Sequence, residues 1–369
     1  MRHFILAAAL LFQTGTLPAQ PATDGLRMLL AHLPDTAGMA RAEIAYGDLA
    51  AARALSLGIL MGRIEGASSD PDIAQLRAMP TGPFAATLRN PATAWRAAVG
   101  FGPADVAQVL VLSAPPKGAM LLQLVPGAGD AVGPALAANG YAEQTQTGVT
   151  AWARGADLET DLAARNPGDP FGLGMGMASR VQIAHDLLRQ SRDWPTTIAL
   201  AHGAEQSVLA RPDIAPLVAA LDNAPGALIM ALIYPAGPDL GMADNQPVLP
   251  DQPETVWTSA IFADFSSGAS STAVLAVGVM LADAADAAAL RDRVARAWAE
   301  RPSDMTGASY LDMTATAADV TIHDAGNGLW VLRISAEAAT GVRGIITQNT
   351  VFARLVDGWM MRDLVFLNP

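Results

Sequence analysis

The stretch "TVWTSAIFADFSSGASSTAVLAVGVML", residues 255–281, holds two long apolar runs separated by a short run of serine, glycine and alanine. Both runs predict strands, and the second is apolar at almost every position, as in a strand buried on both faces. A helical run follows over 283–301, where apolar side chains fall on one face: Leu290, Val294, Ala297 and Trp298. This order of strands and helix predicts a fold that mixes antiparallel sheet with helices.

Downstream of this stretch the sequence predicts two hairpins. Residues 319–335 would turn at Gly326-Asn327-Gly328. Residues 350–367 would turn at Asp357-Gly358, a dipeptide typical of two-residue hairpin turns. The C-terminal part is therefore predicted to close with strands.

The upstream half repeats the same order. Residues 120–141 and residues 274–294 each place a buried strand before a helix that begins near an acidic residue, although few residues are identical between them. We predict an α+β fold with two similar units of antiparallel sheet and helices packed on one face, an arrangement that an internal duplication would produce. Duplication and independent origin of the two units both stay open.

Other elements of the upstream half are predicted from helix caps, prolines and alternation of apolar residues. The predicted helices cover 24–33, 48–60, 69–79, 90–100, 102–110, 130–140, 191–203 and 211–223. The predicted strands, two of them paired as hairpins that turn near 146–148 and at His185-Asp186, cover 42–47, 119–127, 141–154, 179–191 and 226–235.

The N-terminus has the parts of a secretory signal peptide. Arg2 and His3 supply positive charge, residues 4–12 are apolar, and Pro18 precedes Ala19, a small residue at which cleavage would occur. An apolar run of this length is far below the roughly 20 residues of a membrane-spanning helix. We therefore expect a cleaved chain in the periplasm of a bacterium, with release from the cell as the alternative.

The domain organisation follows from length and composition. A chain of 369 residues exceeds what one core usually serves. Residues 236–255 are rich in proline, glycine and aspartate and show no periodicity. The predicted parts are a signal peptide at 1–19, an N-terminal α+β domain at 20–235, a linker or long loop at 236–255, and a C-terminal α+β domain at 256–369.

Composition excludes several classes of function. The chain has no cysteine, which removes thiol nucleophiles, CxxC redox pairs and cysteine-ligated metals. A formal net charge of −12 disfavours nucleic acid and anionic lipid head groups as partners. We also expect no transmembrane segment in the mature chain, because its longest apolar runs are of strand length.

The stretch "DPFGLGMGMASRV", residues 169–181, places glycine at Gly172, Gly174 and Gly176. A phosphate-binding glycine motif requires a strand before the glycines and a helix after them. Here "NPGDP" precedes the glycines and a strand-like run follows, so the motif predicts an ordinary loop.

Four histidines follow the predicted cleavage site: His32, His185, His202 and His323. His32 and His202 fall at the ends of predicted helices, where a cation is favoured by the helix dipole. His185-Asp186 and His323-Asp324 fall at predicted turns. If the two turns were equivalent hairpins of a duplicated fold, His185 and His323 would meet across a cleft, which is the most specific site hypothesis that the sequence offers.

Other catalytic patterns are not found. There is no GxSxG, SxxK or HExxH motif, and the single lysine, Lys117, follows a Pro-Pro turn at the start of a strand. Asp70 and Asp72 resemble the start of a calcium loop but lack its glycine and closing glutamate, so helix capping explains them better. We assign no catalytic, cofactor-binding or metal-ligating residue.

Several segments resemble a loose class of exported bacterial proteins of unknown function. The likeness lies in "LLAHLPD…AEIAYGDLAAARAL", "VGFGPADVAQVLVLSAPPKGAMLLQLVPG", "ALAANGYAEQTQTGVTAWARGAD" and "SRVQIAHDLL", and it spans residues 26–235. The resemblance implies an α+β, repeat-built, exported protein. It carries over no catalytic residues, and the anchoring cysteine of lipoprotein members is missing here.

These observations predict a protein that works by binding an unknown small molecule or protein and not by catalysis. One alternative is a hydrolase with a dispersed His/Asp or paired-carboxylate site. Another is a carrier of apolar small molecules, since the chain has 15 methionines, a residue that lines adaptable pockets. The oligomeric state stays open.

Overall fold

A computed structural model describes residues 22–36, 42–55, 76–78, 92–114, 116–172, 174–203, 206–235, 256–343 and 346–367. The predicted signal peptide and the predicted linker lie outside these residues. Over the described part of the chain, no helix is long and apolar enough to cross a membrane.

Twelve strands of this described part form one sheet in which every pair of neighbours is antiparallel. Their order across the sheet is β11-β12-β10-β9-β8-β1-β2-β3-β7-β6-β5-β4, and β13 and β14 form a separate hairpin. The strands are β1 Glu43–Asp48, β2 Val106–Ala114, β3 Lys117–Leu124, β4 Ala142–Gln146, β5 Val149–Arg154, β6 Ser179–Ala184, β7 Leu187–Ser191, β8 Ala227–Tyr234, β9 Val256–Ser266, β10 Ser270–Met280, β11 Asp319–Gly326, β12 Leu329–Ala339, β13 Gly341–Arg343 and β14 Ile346–Gln348.

Nine α-helices lie among the described residues, with several single 3-10 turns between them. They are α1 Asp24–Ala31, α2 Leu49–Ala54, α3 Ala92–Val99, α4 Val132–Ala138, α5 Trp194–His202, α6 Ala215–Ala219, α7 Ala284–Glu300, α8 Tyr310–Thr314 and α9 Thr350–Met360.

The stretch 255–281 forms the centre of one half of the sheet. β9 and β10 pair along almost their whole length, and nine of the eleven residues of β10 are buried. The helix α7 follows. The side chain of Asp283 caps it by accepting hydrogen bonds from the amides of Ala285 and Asp286. The α+β fold with antiparallel sheet and helices is thus confirmed.

Helices cover both faces of the sheet, whereas the sequence predicted one face. Neighbouring residues of a strand belong to different cores: Leu121 packs with α1, α5 and α6, while Leu122 packs with α2, α3 and α4. Likewise Ala263 belongs to the first core, and Phe262 packs with α7, α8 and α9. The physical reason is that strands with apolar residues at successive positions need cover on each side.

The two predicted halves join in the same sheet, because β8 pairs directly with β9 across the predicted linker. β1 to β8 come from the upstream half and β9 to β12 from the downstream half. The division at 236–255 and the internal duplication both remain predictions.

Many local predictions are confirmed. β4 and β5 turn after Gln146, β6 and β7 turn at His185-Asp186, and β11 and β12 turn at Asn327-Gly328. The predicted cap Asp48 accepts a hydrogen bond from a helix amide, and Asp193, which was not predicted as a cap, does so for α5. Most helices are shorter than predicted, and the helix predicted at 69–79 lies largely outside the described residues.

The predicted helix at 102–110 is wrong. Only Pro103–Asp105 is helical, as a single 3-10 turn, and β2 begins at Val106. Gly102 and Pro103 begin this short turn and no longer helix. The residues after the turn pair with β1 on one side and with β3 on the other. Pairing with two neighbouring strands outweighs the local start signal.

The predicted hairpin at 350–367 is also wrong, because Thr350–Met360 is helix α9. Asn349 caps the helix by accepting a hydrogen bond from the Phe352 amide. Val351 and Leu355, four residues apart, are buried against the sheet. Apolar residues at helical spacing and an N-terminal cap therefore decide this segment, and Asp357-Gly358 lies within its last turns.

Candidate functional site

The glycine-rich stretch forms a loop before β6, as predicted, and its amides are used internally. Asp169, buried to 2% exposure, accepts hydrogen bonds from the amides of Phe171 and Gly172 at 2.9 and 3.1 Å. The same carboxylate accepts from the Tyr141 hydroxyl at 2.9 Å and pairs with Arg154 at 2.7 Å. Because a carboxylate of the protein already takes these amide donors, the loop is braced from within and does not present them to a phosphate.

The structure places the two His-Asp pairs far apart in the sheet. His185 and Asp186 form the β6–β7 turn, and the Asp186 carboxylate accepts from the amides of Gly127 and Gly129. His323 is exposed on the edge strand β11. Eight strands lie between β11 and β6, so the two histidines do not meet, and the hypothesis of a shared cleft is wrong.

His32 and His202 lie at helix ends, as predicted. His202 is in the last turn of α5, and His32 is the C-terminal cap of α1. For His32, however, burial lowers the pKa below the ordinary value of 6.5, and the nearby charge of Arg189 acts in the same direction. The neutral imidazole is therefore favoured at His32, contrary to the expectation of a cation at this helix end.

This pKa shift predicts a pH-dependent contribution to stability. A histidine whose pKa is lower in the folded state stabilises the fold above its unfolded pKa, and this contribution is lost as the pH falls through the folded pKa. We expect the His32→Gln variant to lose less stability than the parent chain between about pH 7 and about pH 5. Urea denaturation at both pH values measures this difference, and an equal loss in the two proteins would contradict it.

A pocket of about 240 Å³ opens on the face of the sheet that carries α1 and α5. Its floor is the β2–β3 hairpin and its wall is the first half of α5, with Thr36 beyond the end of α1. The lining residues are Thr36, Leu112, Ala114, Lys117, Gly118, Pro195, Thr196 and Ala199. Most of this lining is apolar, and Lys117 is the one charged residue among its described members.

Local sequence fixes the two elements that form this pocket. Ala114 pairs with Lys117 across the β2–β3 turn, so both side chains lie on the same face as Leu112. The carboxylate of Asp193 caps α5 by accepting from the Thr196 amide at 2.7 Å. The hydroxyls of Ser191 and Thr197 lie 2.6 Å apart, which ties α5 to β7. The pocket is therefore built between a short hairpin and a capped helix.

A second cation lies beside Lys117. Arg192 donates a hydrogen bond to the carbonyl of Pro116 at 3.1 Å, and it also donates to the carbonyls of Leu158 and Glu159. Among the residues that the structure describes, neither Lys117 nor Arg192 forms an ion pair with a carboxylate. Within the described part of the chain, Lys117 thus brings an unpaired positive charge to the lining, and Arg192 lies behind it without belonging to the lining.

The sequence did not predict this pocket. Lys117 was expected only at the start of a strand, where it indeed begins β3. Thr36, Leu112 and Ala199 come from three separate parts of the chain, and only tertiary packing brings them together. The described residues hold no cluster of three or more histidine and carboxylate side chains suited to a metal ion. Of the signals available, the unique lysine was the one that could have marked the site.

Comparisons with known proteins add a weak structural likeness. No protein-family model matches this chain, and no curated protein matches it. Crystal form I of TP0453 has a TM-score of 0.36 and 9% sequence identity, and the match covers 89% of this chain and 96% of that chain. The match with crystal form III of TP0453 has a TM-score of 0.35 and 10% sequence identity, and it covers 84% of this chain and 93% of that chain. A likeness at this level concerns the course of the backbone alone.

Proposed function

We propose that this chain is an exported, non-catalytic binding protein that holds a small apolar molecule in the pocket between α5 and the β2–β3 hairpin. The observation that carries the proposal is the lining, in which Leu112, Ala114, Pro195 and Ala199 supply most of the surface. Ligand sites are typically concave and mainly apolar, with a few polar groups that orient the ligand. Export rests on the signal peptide that the sequence predicts.

The size of the pocket limits the ligand. A volume of about 240 Å³ is below the range of roughly 300–1,000 Å³ that is typical of sites for drug-sized ligands. A short aliphatic chain is a suitable occupant, because it can bury its whole apolar length without requiring many polar partners.

The lining also favours binding over hydrolysis. A hydrolytic site needs a nucleophile within hydrogen-bond reach of a general base, or two carboxylates that flank the reacting bond. The described lining offers the hydroxyls of Thr36 and Thr196 and the ammonium of Lys117, and it includes no histidine or carboxylate. This part of the chain has the groups to orient a ligand and lacks a base to activate a nucleophile.

Titration with octan-1-ol, followed by calorimetry, tests the proposal. We expect the parent chain to bind octan-1-ol and the Ala199→Trp variant to bind it at least about tenfold more weakly, because the indole would occupy the pocket. His202→Trp, an exposed position on the same helix, is the matched control and should bind as the parent does. Thermal unfolding monitors the fold of both variants.

Two results would overturn the proposal. One is that the parent chain shows no saturable binding of octan-1-ol. The other is that Ala199→Trp, folded as judged by its unfolding transition, binds octan-1-ol with the affinity of the parent.

A further inference from the structure

We infer that the ligand of this pocket carries a single negatively charged head group, which Lys117 holds at the mouth while an aliphatic chain lies inside. This inference rests on the proposed function and specifies its ligand as a short-chain carboxylate or a similar anionic amphiphile. It follows from the charges around the pocket and not from the volume alone.

Lys117 is the cation that reaches the pocket, and Arg192 lies behind it. Lys117 is exposed and belongs to the lining. Arg192 donates to the carbonyl of Pro116, the residue directly before Lys117 in the chain. An anionic head group beside Lys117 would accept a hydrogen bond from its ammonium, and hydrogen bonds between charged groups are stronger than those between neutral groups.

Among the residues that the structure describes, Lys117 has no acidic partner although the chain as a whole is acidic. With a formal net charge of −12, carboxylates outnumber cations, and several arginines of the described part are paired with aspartates at 2.6–2.8 Å, among them Arg27, Arg96, Arg154 and Arg180. Arg192 instead bonds to backbone carbonyls and to the Thr160 hydroxyl, and its buried Nε–H has no hydrogen-bond partner. Arg192 therefore adds positive charge close to Pro116, while most of its hydrogen-bond donors are used within the protein.

The rest of the lining limits the ligand to one charge. Apart from Lys117, the lining residues that the structure describes are uncharged, and most of them are apolar. A second charge deeper in the pocket would lose its hydration without gaining a partner, which is costly. A charged head with an apolar tail places each part of the ligand against matching surface.

Calorimetric titration with octanoate, octan-1-ol and octylammonium separates the head group from the tail. We expect the parent chain to bind octanoate about tenfold more tightly than octan-1-ol, and octylammonium more weakly than either. Lys117→Gln should reduce octanoate affinity by about tenfold and leave octan-1-ol affinity unchanged, while Lys117→Arg should retain octanoate binding. Arg291→Gln, a change at a surface arginine of α7, is the control for net charge.

The unique lysine gives a second, direct readout. Reductive ¹³C-methylation of the chain labels one lysine side chain, Lys117, besides the N-terminal amine. We expect octanoate to shift the dimethyl-lysine resonance in a saturable manner and octan-1-ol to leave it nearly in place. This measurement reports contact at the head group without depending on the stability of any variant.

The outcomes distinguish the two proposals. If octan-1-ol binds and Ala199→Trp prevents it, but octanoate binds no more tightly and Lys117→Gln has no effect, the inference of an anionic head is overturned and the pocket proposal stands. If no eight-carbon probe binds, the proposed function fails. If octanoate and octan-1-ol both bind to Ala199→Trp as tightly as to the parent chain, their contacts lie outside the pocket and both proposals are overturned.

Discussion

Replacing Arg77 by alanine is expected to lower the free energy of unfolding by about 3–5 kcal/mol, the usual effect of removing one partner of a buried ion pair. The side chains of Arg77 and Asp264 are only 3% and 4% exposed. Their contact is bidentate, with Nε to Oδ2 at 2.9 Å and Nη2 to Oδ1 at 2.8 Å. Without Arg77, the Asp264 carboxylate would remain in the middle of the sheet with most of its charge uncompensated.

The same carboxylate connects three parts of the chain, which adds to the expected effect. Arg77 also donates to Ser271 at 2.9 Å, and Asn349, the cap of α9, donates to Asp264 at 3.0 Å. Ala78, next to Arg77, is fully buried. Burial raises the pKa of the Asp264 carboxyl, while the hydrogen bonds from Arg77 and Asn349 act in the opposite direction. Loss of Arg77 is therefore expected to destabilise both residues 76–78 and the start of α9.

Urea denaturation of three variants tests this prediction. Arg77→Ala should shift the midpoint strongly, whereas Arg291→Ala, which breaks the exposed Arg291–Asp292 pair, should cost less than about 1 kcal/mol. The double variant Arg77→Met with Asp264→Leu should recover much of the loss, because apolar residues of similar volume often replace a buried ion pair at little cost. A loss below 1 kcal/mol for Arg77→Ala would show that water or rearrangement compensates Asp264.

This buried pair could not be read from the sequence. Arg77 lies in a segment that the sequence assigned to a helix, and Asp264 is a single acidic residue within an apolar run. The two are separated by 187 positions. Local periodicity predicts which face a residue occupies but carries no information about a partner so distant along the chain. The pocket was missed for the same reason, since Thr36, Leu112 and Ala199 meet only in the folded chain.

Local signals did predict the elements whose own residues determine them. The long apolar runs of β8, β9 and β10 fit only strands, and the apolar stripe of α7 packs as predicted, with Leu290 and Trp298 buried. The acidic caps Asp48 and Asp283 also acted as expected, since each accepts hydrogen bonds from amides within the first turn of its helix. The prediction failed in the C-terminal segment, which carries local signals both for a hairpin and for a helix.

The C-terminal segment shows this conflict. Asp357-Gly358 is typical of a hairpin turn, and the flanking residues are apolar enough for strands. The same segment has a cap at Asn349 and apolar residues at helical spacing, and packing of that stripe on the sheet favours the helix. Gly358 is consequently a buried helical glycine, which raises the question of why a residue with low helix propensity occupies this position.

Gly358→Ala is expected to destabilise the protein by about 1–3 kcal/mol, as overpacking of a filled core does. In an exposed helix the same change would stabilise by up to about 1 kcal/mol, so the sign of the effect reports the packing. A Cβ at position 358 would overlap the Tyr310 hydroxyl and would lie 2.9 Å from Cδ2 of Leu364. The Tyr310 hydroxyl donates to the carbonyl of Asp363 at 3.2 Å, so moving it also breaks a buried hydrogen bond.

A double-mutant cycle with Tyr310→Phe measures this overlap. Tyr310→Phe removes the hydroxyl and is expected to cost about 0.5–1.5 kcal/mol by itself, the usual net value of one hydrogen bond. In that background Gly358→Ala should cost clearly less than in the parent chain, because the added methyl group would take the place of the hydroxyl. Additive effects would mean that Leu364 and the backbone of α9, and not Tyr310, resist the methyl group. A stabilising Gly358→Ala in the parent chain would mean that helix propensity outweighs packing at this position, and the close contact between α8 and α9 would then be too loose to explain the glycine.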